Sequence, residues 1–286
     1  MKNIISALLV LLPLLANADS QPATYTVQGK HNVLHLVGTV HLLQDSETLP
    51  ASITRSYADA KRLLLEIDTS SMDPMEVQVT VMSLGMLPED ETLESRLDAA
   101  TYNKLKAAAE TAGLDMMIVD RLRPWLAAMQ LEETMLVKIG LDPKSGVEMQ
   151  LTKRAAQDHK PISGFETMDE QLNFFASLDE KTEMDFLTST LDELKDIRKE
   201  MGDLMNAWRQ GDEATLMALM QREMRGHEKF YNVLLTQRNK RWINKLQSLL
   251  NDSNENYLVA VGALHLVGND GVVSLLRRAG YKVTRD

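Results

Sequence analysis

Two kinds of hydrophobic pattern alternate along this chain of 286 residues. Short apolar runs of strand length stand towards its two ends, and 3.6-residue periodicity fills most of the space between them. Residues 24–27 and 33–37 read as two strands. The loop Gln28-Gly29-Lys30-His31-Asn32 joins them as a hairpin. Residues 49–62 have helical spacing, and Leu63-Leu64-Leu65-Glu66-Ile67-Asp68 reads as a buried strand ending in two carboxylates. Helices are predicted over 75–86, 93–111, 124–139 and 147–158, the third opened by Pro124 in a first-turn position. Residues 160–165 form a short strand. Thr167-Met168-Asp169-Glu170 then carries the capping-box pattern that starts a helix. From 181 to 250 the pattern is almost all helical, with breaks expected at Gly202 and at Gly211-Asp212. A strand over 257–261, a helix over 271–279 and a last strand over 281–284 complete the chain.

The two ends share a chemical pattern. Val33-Leu34-His35-Leu36-Val37 is followed by Gly38-Thr39-Val40-His41. Tyr257-Leu258-Val259-Ala260-Val261 is followed by Gly262-Ala263-Leu264-His265. A glycine after a buried strand permits a sharp turn or close approach. A histidine three residues on then sits past the strand's carboxyl end, where open α/β sheets build their sites. The expected fold class is therefore α/β (α+β): a central mixed β-sheet assembled from N- and C-terminal strand–GxxH–helix units, with a large helical insertion at about 181–250.

The N-terminus changes the picture of where the chain works. Lys2 is followed by an apolar run over residues 4–15 and then by Ala16-Asn17-Ala18, the features of a cleaved secretory signal. The run is too short for a stable bilayer-spanning helix. The expectation is a signal peptide over residues 1–18 and a single domain over 19–286. The mature protein would be periplasmic or secreted in a bacterium, with no membrane insertion after cleavage. The chain has no cysteine, so neither a disulfide nor a lipid-anchored cysteine is available. A net charge of −10 argues against nucleic acid as a partner.

The candidate chemistry centres on His41 and His265, since neutral imidazole serves as metal ligand or general base. Glu66 ends an apolar strand, where a carboxylate is costly unless paired or bound. Asp68 shares its face and reads as a bystander. Glu166 ends a second short strand. Glu148 reads equally well as an ordinary first-turn acid of its helix. Arg238, in Gln237-Arg238-Asn239-Lys240-Arg241-Trp242, could clamp a carboxylate or an oxyanion, although a surface arginine is ordinary in so basic a stretch. His31, His35, His159 and His227 read as structural or exposed. There is no His-Glu-x-x-His, no Walker loop and no cysteine nucleophile.

Taken in order, Gly38-Thr39-Val40-His41, the strand-end Glu66, Lys160-Pro161-Ile162-Ser163-Gly164-Phe165-Glu166-Thr167 with Gln171, Gln237-Arg238-Asn239, and Gly262-Ala263-Leu264-His265 with Gly268 resemble the TraB/GumN family, related to the Tiki metalloproteases. The resemblance runs from about Tyr25 to the end. It implies an α/β fold with a helical insertion and a metal-dependent peptidase activity, with Mn, Co or Zn held by His41, Glu66 and His265. The resemblance carries over only those three positions; in the mechanism expected from the residues themselves, Glu166 accepts the proton of the attacking water and Arg238 stabilises the oxyanion. The substrate would be a peptide or protein. The wider superfamily implies two alternatives. One is a metal-independent His/Glu hydrolase of the erythromycin-esterase type, from which the chain departs by carrying Thr39 where that motif has an acid. The other is a non-enzymatic periplasmic protein that binds haem or a peptide.

Overall fold

The computed structural model describes residues 20–70, 72–223 and 227–286. The expected signal peptide lies outside the described residues. Among the described residues there are eight strands: β1 (Thr24–Gln28), β2 (Val33–Thr39), β3 (Leu43–Gln44), β4 (Arg62–Ile67), β5 (Leu141–Asp142), β6 (Ile162–Glu166), β7 (Tyr257–Gly262) and β8 (Val283–Arg285). Six of them form a mixed sheet in the order β6-β4-β7-β2-β1-β8, and β3 pairs with β5 apart from it. β6, β4, β7 and β2 run parallel, while β1 is antiparallel to both of its neighbours. The hairpin predicted at the N-terminus is β1–β2.

The longer helices are α1 (Ala51–Asp59), α2 (Pro74–Gly85), α3 (Ala99–Ala112), α4 (Pro124–Lys138), α5 (Val147–Gln157), α6 (Met168–Ala176), α7 (Glu180–Glu193), α8 (Ile197–Gln210), α9 (Glu213–Glu223), α10 (Gln237–Asp252) and α11 (Val272–Arg278). The strands read as continuous apolar runs because both sheet faces are covered. One face carries Val37, Leu63, Leu65 and Leu258 against Tyr57 of α1, Leu151 of α5 and Trp208 of α8. The other carries Leu34, Leu36, Leu64 and Val259 against Trp242 and Leu246 of α10 and Leu276 of α11. A separate core of helices alone joins Leu105 of α3, Trp125 and Leu131 of α4 and Leu187 of α7.

The helical part is therefore larger than the stretch 181–250, because α2, α3 and α4 precede β5. Two expected element boundaries also differ. Residues 93–111 do not form one helix. Leu97 is extended, and Asp98 caps α3 by accepting from the Ala100 and Thr101 amides, so a local side-chain bond wins over continuation. Gly202 does not break α8. It faces open space, and the cost of roughly 1 kcal/mol for glycine in a helix is outweighed by burial of Met205 and Trp208 on the same helix. Gly211 does end α8, in the left-handed conformation at φ 61°.

The parallel strands present their carboxyl ends along one edge. Thr39 pairs with Gly262, and Ile67 with Glu166. Both GxxH turns and both strand-end glutamates therefore leave the sheet side by side. Gly38 makes this crossing possible: a Cβ there would stand 3.0 Å from the Ala263 Cα in the second GxxH turn. Its carbonyl accepts a buried hydrogen bond of 2.9 Å from the Trp208 indole. Gly38→Ala should lower the unfolding free energy by about 1–3 kcal/mol through overpacking. Equilibrium urea unfolding measures this, and a stability equal to wild type would mean the two turns are not in such contact.

Candidate functional site

The centre of the site is a buried guanidinium. Arg238 lies on the first turn of α10, on the helix face that continues through Trp242, Leu246 and Leu250 into the core. It is 7 % exposed. Nε donates to Glu166 Oε1 and Oε2 at 3.1 and 3.0 Å. One NH2 hydrogen reaches Glu166 Oε2 at 2.8 Å, and the other binds Glu66 Oε2. NH1 donates to the Leu234 carbonyl at 3.1 Å and to His265 Nε2 at 3.2 Å. All five N–H groups are thus used. The Leu234 carbonyl comes from a π-helical turn over Asn232–Thr236 that leads into α10. The oxyanion role expected of Arg238 has no donor left to perform it.

Glu166 is equally enclosed. Besides Arg238, its oxygens accept from the Trp242 indole at 3.0 Å, Arg241 at 3.2 Å and Gln171 at 3.2 Å. That setting makes it the anchor of Arg238 rather than a base open to water. Glu66 accepts from the Gly262 amide at 2.7 Å and from Gln171 at 3.3 Å as well as from Arg238. Burial pushes its carboxyl up, but the charges of His265, Arg238 and His41 and the Gly262 amide prevail and lower it to about 2. Asp68 takes no part and closes a turn with the Ser70 amide at 3.0 Å.

The two GxxH histidines are in opposite states. His265 is 4 % exposed and packs against Trp242, ring centroids 4.4 Å apart and planes tilted by 37°. Asn239 donates from Nδ2 to the Asp270 carbonyl at 2.8 Å, which orients its Oδ1 to accept the His265 Nδ1 proton at 2.6 Å. Nε2 is then the unprotonated nitrogen, and it faces Arg238. Burial lowers His265 to about 4, with Glu66 opposing and Arg238 assisting, so the ring is neutral at neutral pH. Glu66 then keeps its charge there through Arg238 and Gly262.

His41 has a side chain 69 % exposed, its Nδ1 lying 3.0 Å from Glu148 Oε1. The Glu148 charge, then the hydrogen bond to it and the more distant charge of Glu66, raise His41 to about 9, with partial desolvation and the Arg238 charge opposing. Glu148 stands in the first turn of α5. The loop behind His41 is tied to that turn: the Val147 amide donates to the Val40 carbonyl at 3.1 Å, and a Cβ at Gly146 would run into the His41 carbonyl group. Thr39 also donates to Glu148 Oε1, while Oε2 is buried without a partner among the described residues. Burial raises the Glu148 carboxyl, but His41 and Thr39 prevail and lower it. Glu148 is thus more than a first-turn acid. The charges of Glu66 and Arg238 are felt at His41, and that of His41 at His265, so the exposed pair and the buried cluster share one electrostatic environment.

The metal expected at His41, Glu66 and His265 does not fit the donors as they stand. Among the described residues no group of three His, Cys, Asp or Glu side chains is arranged to hold an ion. Both Glu66 oxygens and His265 Nε2 face N–H donors, and the guanidinium supplies the positive charge between them. Thr39, Gln171, Asn239 and Trp242 were not assigned roles from the sequence. For Trp242 the signal was present: with Arg238, Leu246 and Leu250 it falls on one stripe of an otherwise polar helix.

The profile of the TraB/PrgY/gumN family matches residues 23–285. The chain belongs to this family. Within it, the chain is 29 % identical over 256 residues to the uncharacterized protein YbaP of Escherichia coli (strain K12), covering 88 % of this chain and 90 % of YbaP. It is 22 % identical over 306 residues to the metalloprotease TIKI homolog of Nematostella vectensis, covering 87 % of this chain and 64 % of that protein. An uncharacterized protein of Treponema pallidum (strain Nichols) is 20 % identical, covering 89 % of this chain and 80 % of its own. No solved structure matches. In this TraB/PrgY/gumN chain the motifs that carried the resemblance meet around Arg238, His41 standing beside them with Glu148.

The proton states predict an acid-labile fold. From pH 6.5 down to 4 the unfolded chain protonates His265 while the folded chain does not, so stability falls as pH falls. Below about 4.5 Glu66 continues the loss in the same direction towards its folded value of about 2. His41 acts oppositely between 6.5 and 9, weakly because solvent screens an exposed pair. Urea unfolding at pH 7, 5 and 4 should show a decline on the order of 3 kcal/mol from His265. In His265→Gln the slope between pH 6.5 and 4 should flatten; an unchanged slope would assign it to other groups.

Proposed function

We propose that the protein is an exported hydrolase that cleaves a peptide bond, with His41 and Glu148 as its proton-transfer pair. The observation that carries this reading is the presentation of His41. Its Nδ1 is held by Glu148, and the rest of the ring is open to solvent beside a buried, fully bonded cluster. A carboxylate that fixes one imidazole nitrogen orients the other towards a substrate and stabilises the imidazolium once it forms. In this scheme neutral His41 takes a proton through Nε2 from a water molecule attacking the scissile carbonyl carbon. The new C–O bond forms, His41 returns the proton to the amine nitrogen, and the C–N bond breaks. Arg238, Glu66, Glu166 and His265 keep the ends of the parallel strands rigid and set the field at His41.

The pH dependence tests the scheme. A base whose pKa is raised gives a kcat/KM limb that rises with pH at values above the ordinary histidine range, towards about 9. Glu148→Gln should move that limb down towards 6.5. His41→Ala should abolish peptidase activity while leaving the melting temperature close to wild type, because the ring is exposed. Activity that survives His41→Ala, or that falls as pH rises through this range, would overturn the assignment.

The similarity to the metalloprotease TIKI homolog favours a second reading, a peptidase dependent on Mn, Co or Zn. It requires His265 and Glu66 to exchange their bonds to Arg238 for bonds to an ion. Metal analysis of untagged protein separates the two readings. One equivalent of metal, lost with activity on chelation and restored with it, supports the second; full activity after chelation supports the first.

The export reading rests on Lys2, the apolar run over residues 4–15 and Ala16-Asn17-Ala18. Mass spectrometry of protein from its native envelope should find Asp19 as the first residue. A mature chain that keeps Met1 would sink it.

A further inference from the structure

Asn239 links the His265 ring to a crevice. The Asp270 carbonyl that holds the Asn239 amide belongs to the loop after the second GxxH turn, so Asp270 is two hydrogen bonds from the ring. That loop and α9 border an open space of about 400 Å³ lined by Met217, Met220, Tyr231, Asn269 and Asp270, and by Glu228, whose carboxylate side chain already has an interaction of its own. The volume falls within the roughly 300–1,000 Å³ usual for small-ligand sites. Met217 packs so closely on the backbone at Gly268, which has φ 81°, that a Cβ there would stand 2.8 Å from its sulfur. The crevice wall and the GxxH turn are therefore one packed unit.

The lining selects its occupant. Asp270 is half-buried, and no hydrogen bond or ion pair reaches its carboxylate among the described residues. After burial, its charge is the next contribution that raises the Tyr231 phenol. A purely apolar ligand would bury this carboxylate without compensation, and an anion would be repelled by it. A cation on an apolar stem satisfies both features. The methionine thioethers and the Tyr231 ring adapt to methylenes, and the aromatic face also attracts an ammonium or guanidinium group.

We propose that this crevice seats the side chain of a lysine or arginine residue of the peptide substrate, Asp270 pairing with its charged end. The proposal rests on the peptidase reading for the identity of its ligand, but the binding itself can be measured without turnover. Two peptides differing only by lysine or norleucine at one position are titrated into His41→Ala protein by fluorescence anisotropy. The lysine peptide should bind about tenfold tighter, the equivalent of about 1.4 kcal/mol. Asp270→Asn keeps the backbone carbonyl that Asn239 needs and should bring the ratio close to one. Asp270→Lys should favour a glutamate peptide instead, with circular dichroism confirming that each variant is folded. Equal binding of the lysine and norleucine peptides, or a preference that survives Asp270→Asn, would overturn the proposal. Lysine-selective binding in protein that cleaves no peptide at any pH would leave the pocket standing and remove the peptidase reading. Cleavage indifferent to lysine would do the reverse.

Discussion

A guanidinium that is buried cannot shed its charge, and the architecture around Arg238 follows from that constraint. Its five N–H groups point in a fixed fork, and each must find an acceptor away from water. The acceptors come from four separated stretches of chain: Glu66 at the end of β4, Glu166 at the end of β6, His265 after β7, and the Leu234 carbonyl in the turn before α10. Removing any one leaves a charge short of a partner, so the ends of three parallel strands are tied to one turn of one helix. The π-helical geometry over Asn232–Thr236 belongs to the same requirement, since the carbonyl that receives NH1 lies within it.

The same cluster separates the behaviour of two histidines that share a motif. His265 is packed between Trp242 and the guanidinium, and desolvation leaves it neutral, with its tautomer set by Asn239. His41, three residues beyond its own glycine, emerges into solvent because its loop follows the amino end of α5 instead of turning into the sheet. Glu148 then supplies a negative charge that the helix terminus favours. A GxxH pattern therefore states only where a histidine leaves a strand. The surroundings decide whether that histidine keeps a proton or refuses one.

Much of the scaffold was legible for a clear reason. β2, β4 and β7 are buried on both faces and read as unbroken apolar runs, while the capping box at Thr167 and the left-handed turn at Gly211 are local chemistry that works without tertiary help. The convergence of Glu66, Glu166, Arg238 and His265 was legible as a set of motifs, but their division of labour was not. Arg238 looked like a surface residue because its neighbours Lys240 and Arg241 are polar. Only the helical phase that it shares with Trp242, Leu246 and Leu250 marks it as inward-facing. Glu148 was ambiguous for the opposite reason, because a first-turn acid is explained by its own helix and nothing nearby in sequence points to His41. Such pairings join residues about a hundred positions apart, and neither periodicity nor local propensity carries that information.

The arrangement divides rigidity from reactivity. Around Arg238 nearly every donor and acceptor is matched, and a matched buried network resists rearrangement. Around His41 the matching is incomplete: Glu148 Oε1 takes both the His41 and Thr39 protons, and Oε2 is buried with no donor among the described residues. An acceptor left unsatisfied is a local cost, and it leaves Glu148 with negative potential that its partners do not absorb. That potential falls on an imidazole that solvent can reach. The satisfied cluster supplies fixed geometry, and the unsatisfied carboxylate supplies the bias on the proton, so the capacity for chemistry lies where the hydrogen bonding is left open.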